Sequence, residues 1–544
     1  VTGTAHPTAS PSPRAAGFLL VALLFLLALL PPEVHGSALA GAAALVTLAA
    51  ALSFVSAADA AIAGAATIVL ALAARFASAP GEAVEPAALV VLALVAALAT
   101  SRLRPNPATL GAASAALVAV LGARALFDVA WGLEAAAEGI RTGAVVADAD
   151  AVLNRLGQGR AYGGFSTPAA LAGFLVLLLP AALAWTLSRT GRARWAGGAA
   201  TLLGLAGVVA TRSLTAVVAA GAALAIAALR RRIGARAVGW ALAAVAALAL
   251  GVALLRPDGV FSLAREDSPW RLRAGNVRVA LEIAREHPGM GVGPGGYAEA
   301  FPAHRRAGDN ESRFAHDLPA QLVAEWGIPA GLLLSAAFFA LFVGPLLASR
   351  ASWREPDAAA ALGLCAFALH NLADFTAFLP SFAIAAGVLR GALAVRPARP
   401  PDGPARAAFV AVAIVAAIAS GRAGLSRDAL FDARDAAAAG ERALADERAL
   451  RAAALAPWDC DARLAAAQAV GREAALAHAD AAVTASPVRA SARAIRAELR
   501  ASLGDVPGAW SDLSKAATLY PMRDAYALRR DEIARALGTG GGRR

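Results

Sequence analysis

Residues 168–187, PAALAGFLVLLLPAALAWTL, are twenty consecutive positions without a charged side chain. A helix crossing the hydrocarbon core of a bilayer needs roughly 17–25 predominantly apolar residues, and this stretch has that length. Comparable runs lie on either side of it, near 15–30, 38–56, 58–74, 86–100, 108–127, 195–210, 214–229, 237–255, 322–348, 358–375, 380–395 and 407–420. The expected fold class is therefore all-α, a polytopic transmembrane helical protein of about 12–13 spans. Composition points the same way. The 544 residues are 58% hydrophobic and 16% charged, with a mean hydropathy of +0.59, whereas an average soluble domain is roughly 45–50% apolar and 25% charged.

The net charge of +11 comes from 50 basic against 39 acidic residues. The basic residues fall in short clusters between apolar runs, which makes the lipid bilayer the expected partner and argues against nucleic acid. With the N-terminus inside, the cytoplasmic segments hold fifteen arginines: Arg14, Arg102, Arg104, Arg189, Arg192, Arg194, Arg230, Arg231, Arg232, Arg236, Arg350, Arg354, Arg396, Arg399 and Arg406. The short outer turns hold only Arg75 and Arg212. That asymmetry places two long stretches, 128–167 and 256–320, on the outer side, where loops of such length usually carry function. The first span is read as a retained anchor. Cys365 and Cys460 lack metal-ligand spacing and form no disulfide framework.

After residue 420 the composition turns to Ala, Arg, Asp and Glu, and a repeat appears. Gly440, Ala445, Ala452 and Pro457 share their spacing with Gly504, Ala509, Ala516 and Pro521, and Ala475, Ala482 and Pro487 repeat it without the glycine. The pattern resembles the tetratricopeptide repeat. The expected division is a membrane domain over 1–420 and a helical repeat domain over 421–544, the latter extracytoplasmic and suited to an envelope protein partner.

Chemistry concentrates in the second outer stretch, which contains RLRAGNVRVALEIAREHPGMGVGPGGYAEAF (271–301) and HDLPAQLVAEWGIPAG (316–331). Helical spacing runs from Arg273 to Glu286 and Pro288 stops it. The glycines that follow could admit a phosphate to backbone N–H groups, but they lack the Lys-Ser/Thr of a P-loop. Together with LHNLADFTAFLPSFA (369–383), GRAYGGFSTPAALAGFLVLLLP (159–180) and TRSLTAVVAAGAALAIAAL (211–229), in that membrane context, these strings resemble the O-antigen ligase and polymerase superfamily over roughly residues 1–400.

The resemblance implies a glycosyltransferase of the bacterial plasma (inner) membrane. Such an enzyme moves a glycan from undecaprenyl diphosphate to the hydroxyl of a lipid or glycan acceptor on the outer face, with inversion and without metal or cofactor. Related expectations are an O-antigen or exopolysaccharide polymerase and a protein O-oligosaccharyltransferase. A polysaccharide transporter or flippase is the reading from a different class. By motif position Arg273 binds diphosphate and His316 activates the acceptor, as the catalytic pair, with Arg160 and Arg212 binding substrate. Guanidinium groups suit a diphosphate leaving group, and an imidazole suits proton removal near neutral pH. The chain departs from the family in having Ser213-Leu214 for Ser-Arg, Asp317 for Asn, and Thr167 before Pro168 where Asn is usual. His370 and Asp374, four apart, read as a structural pair, and Asp148 with Asp150 as a weak cation motif.

Overall fold

The computed structural model describes residues 13–53, 55–143, 149–229, 268–349, 355–394 and 402–540, with isolated positions between 239 and 254. Among these the chain is all-α, with no strand. The first five expected spans are α1 (Pro13–Leu29), α2 (Gly36–Leu52), α3 (Ala57–Phe76), α4 (Val84–Leu103) and α5 (Pro107–Phe127). The last continues through a π-turn at Asp128–Gly132 into α6 (Leu133–Arg141). α7 (Ala149–Gly157) then precedes α8 (Pro168–Leu187), α9 (Gly191–Thr211) and α10 (Leu214–Leu229). The expected span at 237–255 lies largely outside the described residues.

Local chemistry sets these starts. Ser56 and Asp59 form a reciprocal capping box on α3, Asn106 caps α5 ahead of Pro107, and Thr167 caps α8 ahead of Pro168. α8 is apolar on every face and correspondingly central, with Phe174, Leu175 and Leu178 fully buried.

Residues 268–327 fold into a cap, where the sequence reading expected one helix over 273–286 in a long outer loop without a folded core. α11 (Pro269–Glu286), α12 (Tyr297–His304) and α13 (Leu318–Trp326) enclose a small core of Val279, Ile283, Val292, Tyr297 and Phe301. The expected span 322–348 is broken. Gly327, at φ 77°, separates α13 from α14 (Ile328–Ala348), and a Cβ there would lie 2.5 Å from the Gly289 backbone. α15 (Pro356–His370) ends short of its expected boundary, and α16 (Pro380–Leu393) follows. Among the described helices seven are long and apolar enough to cross a bilayer, and five shorter apolar helices accompany them. This is the architecture of a polytopic membrane protein.

The weak run at 407–420 is part of one helix of 36 residues, α17 (Gly403–Ala438), capped by Asp402. Residue 420 falls inside it with no break. α17 packs along α2, where a Cβ on Gly36 would sit 1.9 Å from the Gly424 carbonyl oxygen. Lipid tails are as apolar as the helices, so such close backbone contact, rather than apolar burial, holds the pair together.

The tail continues as α18 (Arg442–Leu455), α19 (Cys460–Gln468), α20 (Arg472–Ala485), α21 (Ala490–Ser502), α22 (Val506–Leu519) and α23 (Asp524–Gly540), each packed on the next. Gly440 and Gly504 both take positive φ just before α18 and α22, and Ala445, Ala452, Ala509 and Ala516 are buried in those helices. The tail rests on the bundle end that carries the cap. The Gly81 N–H donates to the Ala485 carbonyl (2.8 Å), Arg305 donates to the Tyr520 hydroxyl (2.6 Å), and Arg427 pairs with Glu85.

Candidate active site

Four turns meet at the cap end of the bundle. α9 stops because Arg212 adopts a left-handed backbone (φ 50°), and Thr211 Oγ1 accepts from the Ser213 N–H at 3.2 Å. Segment 158–163 lies along this turn. Arg160 Nε donates to the Thr211 carbonyl (3.0 Å), Arg212 Nη1 donates to the Gln158 carbonyl (3.1 Å), and Asp128 accepts from the N–H groups of Tyr162 and Gly163. α11 brings in Arg273. His316, left-handed at φ 57°, immediately precedes Asp317, which caps α13 by accepting from the Ala320 N–H at 2.8 Å.

The fourth turn, 371–379, is organised by Asn371. Its side chain accepts from the Ala377 N–H (2.7 Å) and donates to the Phe367 carbonyl (2.9 Å), while its own carbonyl accepts from the Leu318 N–H (2.9 Å). That last bond ties the turn to the start of α13, beside His316. Phe375 stacks on Phe314 with ring centroids 4.5 Å apart and stands perpendicular to the His316 ring with centroids 4.8 Å apart. Asp374 follows from this arrangement. Only 1% exposed, it accepts from the Phe375 N–H through Oδ1, while Oδ2 accepts no hydrogen bond from the described residues and lies 4.0 Å from Arg273 Nη2 and 3.8 Å from His370 Nε2.

All four residues singled out in the sequence line one cavity of about 1790 Å³: Arg160, Arg212, Arg273 and His316. Asp374, which the sequence reading pairs with His370 in a structural role, lines the cavity too. His370 stands behind the wall, with Thr215 and Thr376 hydroxyls 3.4 Å from its two nitrogens, as a structural residue would. Small-molecule pockets are typically about 300–1,000 Å³, so the cavity is sized for something larger.

Burial holds the His316 pKa below its ordinary 6.5; nearby Asp374 opposes this and Arg273 reinforces it. The imidazole is therefore neutral at pH 7, and its Nδ1 has no hydrogen-bond partner among the described residues. Arg273 is partly buried, packs over the Trp270 ring at 5.6 Å, and keeps its charge although burial lowers its pKa.

The departures at 167 and 317 have a physical reading. Thr167 and Asp317 both serve as N-caps, a role that Asn fills equally well. Arg212, beside the Ser-Leu pair, has its side chain on the cavity wall. The glycine run is not a phosphate cradle. The Val292 and Gly293 N–H groups donate to the Ala324 and Glu325 carbonyls (3.0 and 2.8 Å), and a Cβ on Gly291 would lie 2.4 Å from the Glu325 backbone. These glycines let the segment press against the end of α13.

Among the described residues no three His, Cys, Asp or Glu side chains cluster as for a metal ion; Asp148 lies outside them. Comparison with curated proteins finds no match. The family model described as O-Antigen ligase matches residues 199–335, which include the Arg212 turn, α11, the glycine run and His316. Over that quarter of its length the chain is similar to the O-antigen ligase family, and the likeness supports the O-antigen ligase superfamily for the protein that carries it.

Proposed function

We propose that the protein transfers a glycan from undecaprenyl diphosphate to an acceptor hydroxyl at the outer face of the bacterial plasma membrane, as an O-antigen ligase-type enzyme. The observation that carries this reading is the continuity of the cavity. Its polar end holds Arg160, Arg212, Arg273, His316 and Asp374. From there it runs down a groove lined by Leu94, Leu98, Leu334, Phe338, Leu341 and Ala383 on α4, α14 and α16. One ligand with a diphosphate head and a long apolar tail satisfies both parts. The arginine asymmetry supports placing the cap and tail outside the cytoplasm.

In the reaction the acceptor oxygen attacks the anomeric carbon on the face opposite the phosphate, giving inversion. The bond from that carbon to the phosphate oxygen breaks and its electrons leave with the diphosphate. Arg273, with Arg160 and Arg212, offsets the growing negative charge. Neutral His316 takes the hydroxyl proton, and Asp374 stabilises the imidazolium that forms. Guanidinium groups supply the electrostatic role that a metal ion fills in other transferases.

Glycan profiling of a deletion strain tests this. Lipid-linked long chains with bare acceptor are expected to accumulate, and complementation with Arg273→Ala leaves that profile unchanged. Single repeat units on the acceptor would instead identify a polymerase. Normal glycans in the deletion strain would remove the proposal.

A further inference from the structure

The cavity has a second polar end of different character. Away from Asp374 its wall is formed by Glu33, by Glu82 in the α3–α4 turn, and by Trp458, Asp459, Asp461 and Arg489 from the tail. The tail is thus part of the chamber and not merely attached beside it. A Cβ on Gly81 would lie 2.0 Å from the Trp458 carbonyl oxygen, so this wall is built on direct backbone contact between tail and bundle.

Arginines and carboxylates mix at this end: Arg313, Arg427 and Arg434 also line the cavity, and Arg427 pairs with Glu85. Arg489 serves three carboxylates, Asp461 at 3.2 Å, Glu82 at 3.5 Å and Glu299 at 3.7 Å. Each carboxylate offers about four acceptor sites, so Arg489 by itself does not fill those of its three partners. Glu33 carries the clearest sign. Its Oε1 accepts from Ser381 Oγ at 2.9 Å, whereas its buried Oε2 accepts nothing from the described residues. Burial, reinforced by the nearby Glu299 and Asp459 carboxylates, pushes Glu82 up to about 7. A ligand rich in hydroxyl donors, bearing no negative charge and offering a ring face to Trp458, matches this inventory.

We propose that this end of the cavity is a saccharide subsite, built jointly by the α3–α4 turn and the C-terminal tail, that accepts uncharged sugar units and rejects polyanionic ones. It rests on the transferase reading for its place in the reaction, since the sugar it holds belongs either to the donor glycan or to the acceptor. The subsite explains why the chamber exceeds what a diphosphate and prenyl chain require.

Calorimetric titration of the full chain in nanodiscs with maltoheptaose and mannohexaose, against hexagalacturonate and a chitosan hexamer, tests binding directly. At least one uncharged oligosaccharide is expected to bind, with hexagalacturonate failing to do so. The double variant Glu82→Ala/Asp461→Ala should weaken binding tenfold or more, and Glu33→Ala, which leaves the Arg489 contacts intact, should also weaken it. Arg273→Ala should leave it unchanged. No binding by either uncharged sugar, tighter binding of either charged one, or indifference to both sets of variants overturns the proposal. Transfer assays with donor and acceptor extracted from the deletion strain then separate the two sources. A KM raised by Glu33→Ala for one substrate alone assigns the subsite to that substrate, and KM values unchanged for both overturn the proposal. Absence of transfer by the unaltered protein would remove the reaction but not the binding result.

Discussion

Asp512, on α22, accepts from three arginines of α21: Arg496 at 2.6 Å, Arg500 at 2.9 Å and Arg493 at 3.4 Å. At the polar end of the cavity Arg273 has, among the described residues, one carboxylate at the edge of ion-pair range and an aromatic ring. The same side chain is saturated in the tail and underused in the cavity. Guanidinium donors committed to protein acceptors hold helices together, while donors left uncommitted on a cavity wall are available to a ligand. Residue type therefore says less about role than the balance of donors and acceptors around it.

The largest expected effect exploits that contrast. Arg273→Ala should lower transfer by roughly 10²–10³-fold, as loss of a charge-stabilising donor does, with thermal stability little changed. Arg273→Lys should recover little, because an ammonium lacks the two-pronged geometry. Arg496→Ala should do the reverse, leaving turnover of the folded protein near normal. A stability loss at Arg273 equal to that at Arg496 would erase the distinction.

Next comes Asp512→Ala, which leaves three cations facing one another between α21 and α22. Removing one side of a buried ion pair costs about 3–5 kcal/mol, so the tail should become sensitive to limited proteolysis while the membrane helices stay intact.

The contact between tail and bundle should also respond to pH. Glu82, facing Glu299, Asp459, Arg489 and Arg313, has its carboxyl raised to about 7. A raised folded-state pKa contributes stability fully below the ordinary value of 4.5, and the contribution is lost as pH rises through 7. Docking should thus loosen by at most about 3 kcal/mol between pH 4.5 and 8, seen as faster tail cleavage at the higher pH. Glu82→Gln should flatten the dependence.

The smallest effect concerns His316. Because burial lowers its pKa, the base form persists below pH 6.5, and kcat should fall only at more acidic pH than an exposed histidine would dictate. A kcat that declines already above pH 7 would assign the proton to another group.

Much of this fold is legible in the sequence because uncharged runs of bilayer length have few alternatives. The exceptions arise where hydropathy and helix geometry diverge. Trp326-Gly327-Ile328-Pro329 reads as continuous apolar sequence, yet Gly327 takes a backbone that ends one helix and starts another. α17 passes through residue 420 unbroken because alanine keeps its helix propensity when the apolar character fades. In the site, motif spacing brought forward Arg160, Arg212, Arg273 and His316, which the fold gathers on one wall. Asp374 was legible only as a structural partner of His370, because its direction is fixed by Asn371, whose bonds to residues 367, 318 and 377 no local pattern records. The carboxylate end was hidden, since it brings Glu33 and Glu82 to Trp458, Asp459, Asp461 and Arg489, more than 370 positions later in the chain.

The unbroken course of α17 makes rotational phase a design variable of the whole molecule. Each residue added to an α-helix turns everything beyond it by about 100° and advances it about 1.5 Å. Asp428 accepts from the N–H groups of Gly36 and Ser37 at 2.7 and 2.6 Å, and neighbouring Arg427 meets Glu85. One residue inserted between Ala413 and Gly424 would swing both out of register and carry Trp458 and Arg489 away from the chamber they help enclose. Seven inserted residues would nearly restore the bearing but lift the tail by about 10 Å. The helix thus acts as a keyed shaft, fixing both the height and the heading at which the tail meets the helical bundle.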